Sequence, residues 1–126
     1  MGFNITDLGD NTKILSVNFW NWRPTVQLIN SFDIIDARRI ELMGIQCAGA
    51  TVIESEAHLI GQRMKEYILV KLQKGERVCL DLSVTLEPDD FVFHKDADAH
   101  KNYSATAEWL KQFAVFCSEC RGFEVN

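Results

Sequence analysis

A chain of 126 residues, 47% apolar and 25% charged with seven glycines and two prolines, is long enough for one domain with a true hydrophobic core, and its composition excludes a disordered or fibrous protein. The formal net charge of -5, with basic residues interleaved among acids, argues against a nucleic-acid partner, whose phosphates demand clustered Lys and Arg. No apolar run approaches the roughly 20 residues of a membrane helix, and the N-terminus lacks the basic and apolar segments of an export signal, so no membrane association and a cytoplasmic location are expected.

The first elements read as a β-hairpin. "GFNIT" and "KILSVNFW" flank "DLGDN", a cluster of turn-forming Asp, Gly and Asn. Phe3 and Ile5 form the inward face of the first strand, a better account of "MGFNIT" than the loose acylation pattern it also fits. Leu15, Val17 and Phe19 share one face of the second strand, and Pro24 is expected to end that extended run and open a helix over "PTVQLINSF". A second short helix follows over "DARRIELM", then a loop from Gly44 to Gly49.

Thr51 with Glu54, or else Ser55, is the expected cap of the longest helix, which carries Ile53, Ala57, Ile60, Met64 and Ile68 at helical spacing and closes at "QKGER". In "RVCLDLSVTLE", Val78, Leu80, Leu82, Val84 and Leu86 alternate with polar residues and predict one long, half-buried strand. A loop from Glu87 to Tyr103 leads to a last helix striped by Trp109, Phe113, Phe116 and Cys120, and "FEVN" suits a short final strand. The expected order is β-β-α-α-α-β-loop-α-β. It implies a single α+β domain over residues 1–126, with an antiparallel or mixed sheet covered by helices.

Three stretches carry candidate chemistry. In "HKDADAH", an extended backbone sets His94, Asp96, Asp98 and His100 on one side, the mixed nitrogen and oxygen donor set that a divalent metal such as Zn²⁺ or Mn²⁺ takes; the plainer alternative is a hydrated surface loop with no cofactor. Cys117 and Cys120 have the C-x-x-C spacing of a zinc half-site or redox pair, but they lie on an aromatic-rich helix where small thiols pack as core. In "NFWNWRPT", Trp20 and Trp22 fall on one side of an extended segment beside Arg23, the residue types of interface hot spots; the alternative is a structural strand-to-helix corner with one Trp in the core.

Asp81, Ser83 and Thr85 make a polar row on the long strand, and His58 is expected at the surface. No Gly-rich phosphate loop, dinucleotide fingerprint, nucleophile elbow or His-Glu-x-x-His is present, so no recognised catalytic motif assigns an enzyme class. With "FWNWRPT" and "WLKQFAVFCSECRGF" in view, the chain resembles small bacterial proteins sharing an N-terminal W-x-W-R-P element and a C-terminal W-L-x-x-F-A-x-F-C helix, a group with no assigned activity. The resemblance implies a bacterial, cytosolic setting and contributes no catalytic residue.

Two functions follow as expectations. One is a non-catalytic module that binds a protein partner, as an immunity or inhibitor protein does, through Trp20, Trp22 and Arg23. The other is a metal-binding protein or metal-dependent hydrolase built on the loop from His94 to His100.

Overall fold

The computed structural model describes residues 2–86 and 103–126. The hairpin forms as the sequence predicts, with β1 (Gly2–Asp7) antiparallel to β2 (Ile14–Asn18) and Phe3 opposite Val17. Two aspartates build its turn. Buried Asp7 accepts backbone N–H bonds from Gly9 at 2.8 Å and Arg121 at 3.1 Å, and Asp10 accepts from the Thr12 amide at 3.1 Å. Through Arg121, the first of these also fixes the start of the last strand.

The main departure comes next. The helix α1 (Phe19–Ser31) begins five residues before Pro24, because the Asn18 side chain caps it by accepting the Asn21 amide at 2.9 Å. Pro24 therefore lies within the helix, where its missing N–H interrupts the bond to the Trp20 carbonyl. The expected extended segment from Phe19 to Arg23 is helical, and Trp20 and Trp22 do not share a side.

α2 (Ala37–Met43) is capped by Asp36, whose carboxylate accepts the Arg39 amide at 3.2 Å. The stretch expected to cap the long helix is instead a strand, β3 (Ala50–Ile53), and α3 (Glu54–Arg63) starts after Ile53. Glu56 reaches back to accept the Ile53 amide at 3.2 Å. α3 widens into a π-helical turn over Met64–Leu69, then ends before Gly75. Ala57, Ile60 and Met64 are fully buried along it, as their spacing predicts, whereas Ile53 is exposed at its start.

The long strand expected over "RVCLDLSVTLE" folds back on itself. β4 (Arg77–Cys79) and β5 (Val84–Thr85) are antiparallel, with Val78 opposite Val84. The Cys79 amide donates to the Ser83 carbonyl at 2.7 Å and the Leu82 amide to the Cys79 carbonyl at 2.9 Å, which close a three-residue loop. Leu82 takes the left-handed conformation this loop requires, at φ 70°. A period of two fits two short strands as well as one long one, and the Asp81 carboxylate that accepts the Ser83 amide at 3.0 Å marks the reversal. The polar row is thereby broken: Asp81 lies in the loop, Ser83 closes it against Cys79, and Thr85 lies opposite Arg77.

β6 (Ser104–Thr106) pairs with β4, and α4 (Ala107–Glu119) and β7 (Gly122–Val125) complete the chain. Among the described residues these strands form two antiparallel sheets, ordered β2-β1-β7-β3 and β5-β4-β6, so the expected α+β class holds. One face of the larger sheet, with Phe3, Ile5, Val52, Phe123 and Val125, packs against the helices; on the other, Asn4, Ser16 and Thr51 are exposed. Gly61 lets α3 approach α4, since a Cβ there would lie 2.7 Å from Ser118 Oγ and 3.0 Å from the Ala114 carbonyl. No helix among the described residues is long and apolar enough to cross a membrane.

Candidate functional site

Starting α1 at Phe19 separates the two tryptophans by about 200° around the helix. Trp22 is fully buried, edge-on to Phe113 at 5.7 Å, and its indole N–H donates to the Met43 carbonyl at 2.8 Å. It is a core residue that also ties α1 to the end of α2. Trp20 is 51% exposed and stacks on Tyr103, with ring centroids 5.0 Å apart and planes at 27°. The exposed Arg23, one turn along, holds its guanidinium 5.3 Å from the Tyr103 ring and 5.9 Å from that of Phe19.

Polar bonds beneath this surface set its geometry. The Asn21 carboxamide oxygen accepts the Thr106 amide at 3.0 Å, which docks β6 on α1 and brings Tyr103, one residue before the strand, beside Trp20. Thr25, fully buried, donates to the Asn21 carbonyl at 2.8 Å and accepts the Trp109 indole N–H at 2.8 Å, which couples α1 to α4. Arg77 donates to Ser104 Oγ at 2.6 Å and so joins β4 to β6. Two aromatic faces and a guanidinium are thus presented on a braced support.

Of the predicted binding residues, Trp20 and Arg23 come together and Trp22 does not, because helical rather than extended geometry governs their spacing. Tyr103 and Phe19 complete the group. Tyr103 was visible in the sequence only as an aromatic at the end of a loop; its proximity to Trp20 follows from the Asn21 bridge, which no local pattern announces.

The predicted metal residues His94, Asp96, Asp98 and His100 lie outside the described residues. Among the described residues, no group of three or more His, Cys, Asp or Glu side chains is placed to hold a metal. Cys117 and Cys120 are buried core residues, and Cys120 Sγ donates to the Cys117 carbonyl at 3.5 Å. Burial pushes both thiols above the usual range, most strongly at Cys117, so neither is an activated thiolate at neutral pH. His58 is exposed, as expected, with Nε2 2.9 Å from the Cys120 carbonyl oxygen.

A shallow depression of about 400 Å³, lined by Gly2, Phe3, Asn4, Ser16, Val17 and Asn18, opens at one side of the β1–β2 hairpin and contains no ionisable side chain. In comparisons with known proteins, no family model, no curated protein and no solved structure matches the chain.

Proposed function

We propose that the protein is a non-catalytic, cytoplasmic binding module of bacterial origin that engages another protein, in the manner of an immunity or inhibitor protein, through Trp20, Arg23 and Tyr103. The observation that carries this reading is the half-exposed Trp20 stacked on Tyr103 beneath Arg23. Aromatic and Arg side chains are the residue types that dominate interface energetics, and the stacking of Trp20 on Tyr103 lowers the side-chain entropy the two rings have left to lose on association. The net charge of -5 favours a basic partner, whose approach it accelerates.

The test is recovery of a stoichiometric basic partner from native lysate, followed by affinity measurements on variants. Trp20→Ala and Tyr103→Ala should each weaken binding by about 2 kcal/mol, roughly thirtyfold, with unchanged far-UV circular dichroism. Trp22→Ala is the structural control. It removes a fully buried indole and should cost about 3–5 kcal/mol of folding stability. Partner binding that survives both Trp20→Ala and Tyr103→Ala at full strength sinks the proposal.

A further inference from the structure

Among the described residues, the two edges of the larger sheet are β2 and β3. Asn4 exchanges both backbone bonds with Asn126, at 2.8 and 2.9 Å, so its N–H and C=O face β7. In an antiparallel ladder the hydrogen-bonded pairs between β1 and β2 are then Phe3 with Val17 and Ile5 with Leu15, a phase continued by the Asp7 amide donating to the Lys13 carbonyl at 3.0 Å. The N–H and C=O groups of Ile14 and Ser16, and the N–H of Asn18, consequently point off the sheet. No backbone bond from another described residue reaches them.

That edge is five residues long and contains no proline. No charged residue occurs between Lys13 and Arg23. Ile14 is 53% exposed, and Leu15 is only partly buried. Monomeric proteins protect such edges with charge, proline or a covering element.

We propose that β2 is an interface between two copies of this chain, paired antiparallel about a twofold axis through Ser16. This inference is independent of the reading of Trp20 and Tyr103. The strand is its own complement. In that register the Ser16 groups of the two copies bond to each other, and the Asn18 amide of each faces the Ile14 carbonyl of the other. Leu15 falls beside Val17 of the second copy on the core face, at the close spacing of a non-hydrogen-bonded pair. Two bodies of net charge -5 repel wherever their acids meet; here they meet along a strand with no charged residue from Ile14 to Trp22. The larger sheet would then run on through both copies.

Sedimentation equilibrium over a wide concentration range, with hydrogen exchange at low and high concentration, tests this. The wild-type mass should move from one chain towards two as concentration rises. The Ser16 and Asn18 amides should slow together by about tenfold or more in the concentrated sample, as amides bonded in the dimer do. Ser16→Lys, which sets two lysines across the axis, should weaken association on the order of a hundredfold. Thr51→Lys, on the other edge, should leave it unchanged. A one-chain mass at every concentration, association unaffected by Ser16→Lys, or Ser16 and Asn18 amides indifferent to concentration would each overturn the proposal. The exchange readout uses the wild-type chain alone and so holds even if a variant fails to fold.

Discussion

The two edges of the larger sheet meet the same physical problem, outward-pointing backbone groups, in opposite ways. On β3 the ladder bonds fall at Ala50 and Val52, so Thr51 and Ile53 face outward. Arg39 donates to the Thr51 carbonyl at 3.2 Å, and Glu56 accepts the Ile53 amide at 3.2 Å. Arg39 and Glu56 are joined by a two-pronged ion pair, both bonds at 2.7 Å, and the guanidinium also contacts Asp36. One ion pair thus occupies this edge and links α2 to α3. On β2 nothing equivalent is present among the described residues. The contrast indicates that an edge is closed by side chains brought in from neighbouring helices, not by the composition of the strand itself: "ATVI" is no more polar than "ILSVN".

The strongest way to break this comparison is to remove the clamp. Arg39→Met takes two charge-assisted bonds from Glu56, whose side chain is only 19% exposed, and one from the Thr51 carbonyl. A loss of about 2–3 kcal/mol in urea unfolding is expected, because a largely buried carboxylate is left without its cation. With β3 opened, the Ile53 amide should exchange faster and the variant should self-associate through that edge. An unchanged unfolding midpoint together with unchanged Ile53 exchange would mean that the ion pair is surface decoration.

The pH dependence is a smaller effect of the same origin. The bonds from Arg39 hold the carboxyls of Glu56 and Asp36 below the usual carboxylate range. A depressed folded-state pKa contributes stability that is complete above the unfolded value, about 4 for these groups, and is lost as pH falls through the folded value. The stability gap between wild type and Arg39→Met should therefore be widest near neutrality and narrow as pH falls below about 4. Urea titrations across that interval check it; a gap that is constant with pH would assign the loss to packing of the Arg39 stem rather than to charge.

The sequence exposed the parts of this molecule that depend on local pattern. The hairpin, the buried stripes of α3 and α4, the core placement of Cys117 and Cys120, and the α+β class all follow from periodicity and turn chemistry. What escaped was set by competition or by distance. The pre-proline bias at Arg23 pointed to extended backbone, yet the Asn18 cap and the burial of Trp22 outweighed it, and the cost of Pro24 is a single missing bond. The five apolar alternations from Val78 to Leu86 concealed a reversal, because Leu82 adopts a conformation that Gly or Asn would have advertised. Of the candidate site, Trp20 and Arg23 were legible as residue types, but Tyr103 reaches them through a contact between residues 21 and 106 that leaves no local trace.

The smallest expected effect extends the comparison to the other sheet, where β5 is also an edge strand. Here the cost lies in the turn rather than at the edge: among the described residues the three non-glycine positions at positive φ are Asp33, Cys47 and Leu82, none on β2 or β3, and Leu82 is the one that shapes a hairpin. An L side chain in this region costs about 1 kcal/mol relative to glycine, while the Leu82 side chain, 36% exposed, returns only part of that through contact. Leu82→Gly should stabilise the fold by about 0.5 kcal/mol, a rise in Tm of roughly 2 °C. Leu82→Ala keeps the strained backbone and loses the contacts, so it should be neutral or destabilising. If both variants lose stability equally, the hairpin is held by the packing of Leu82, and its edge resembles β3 more than β2.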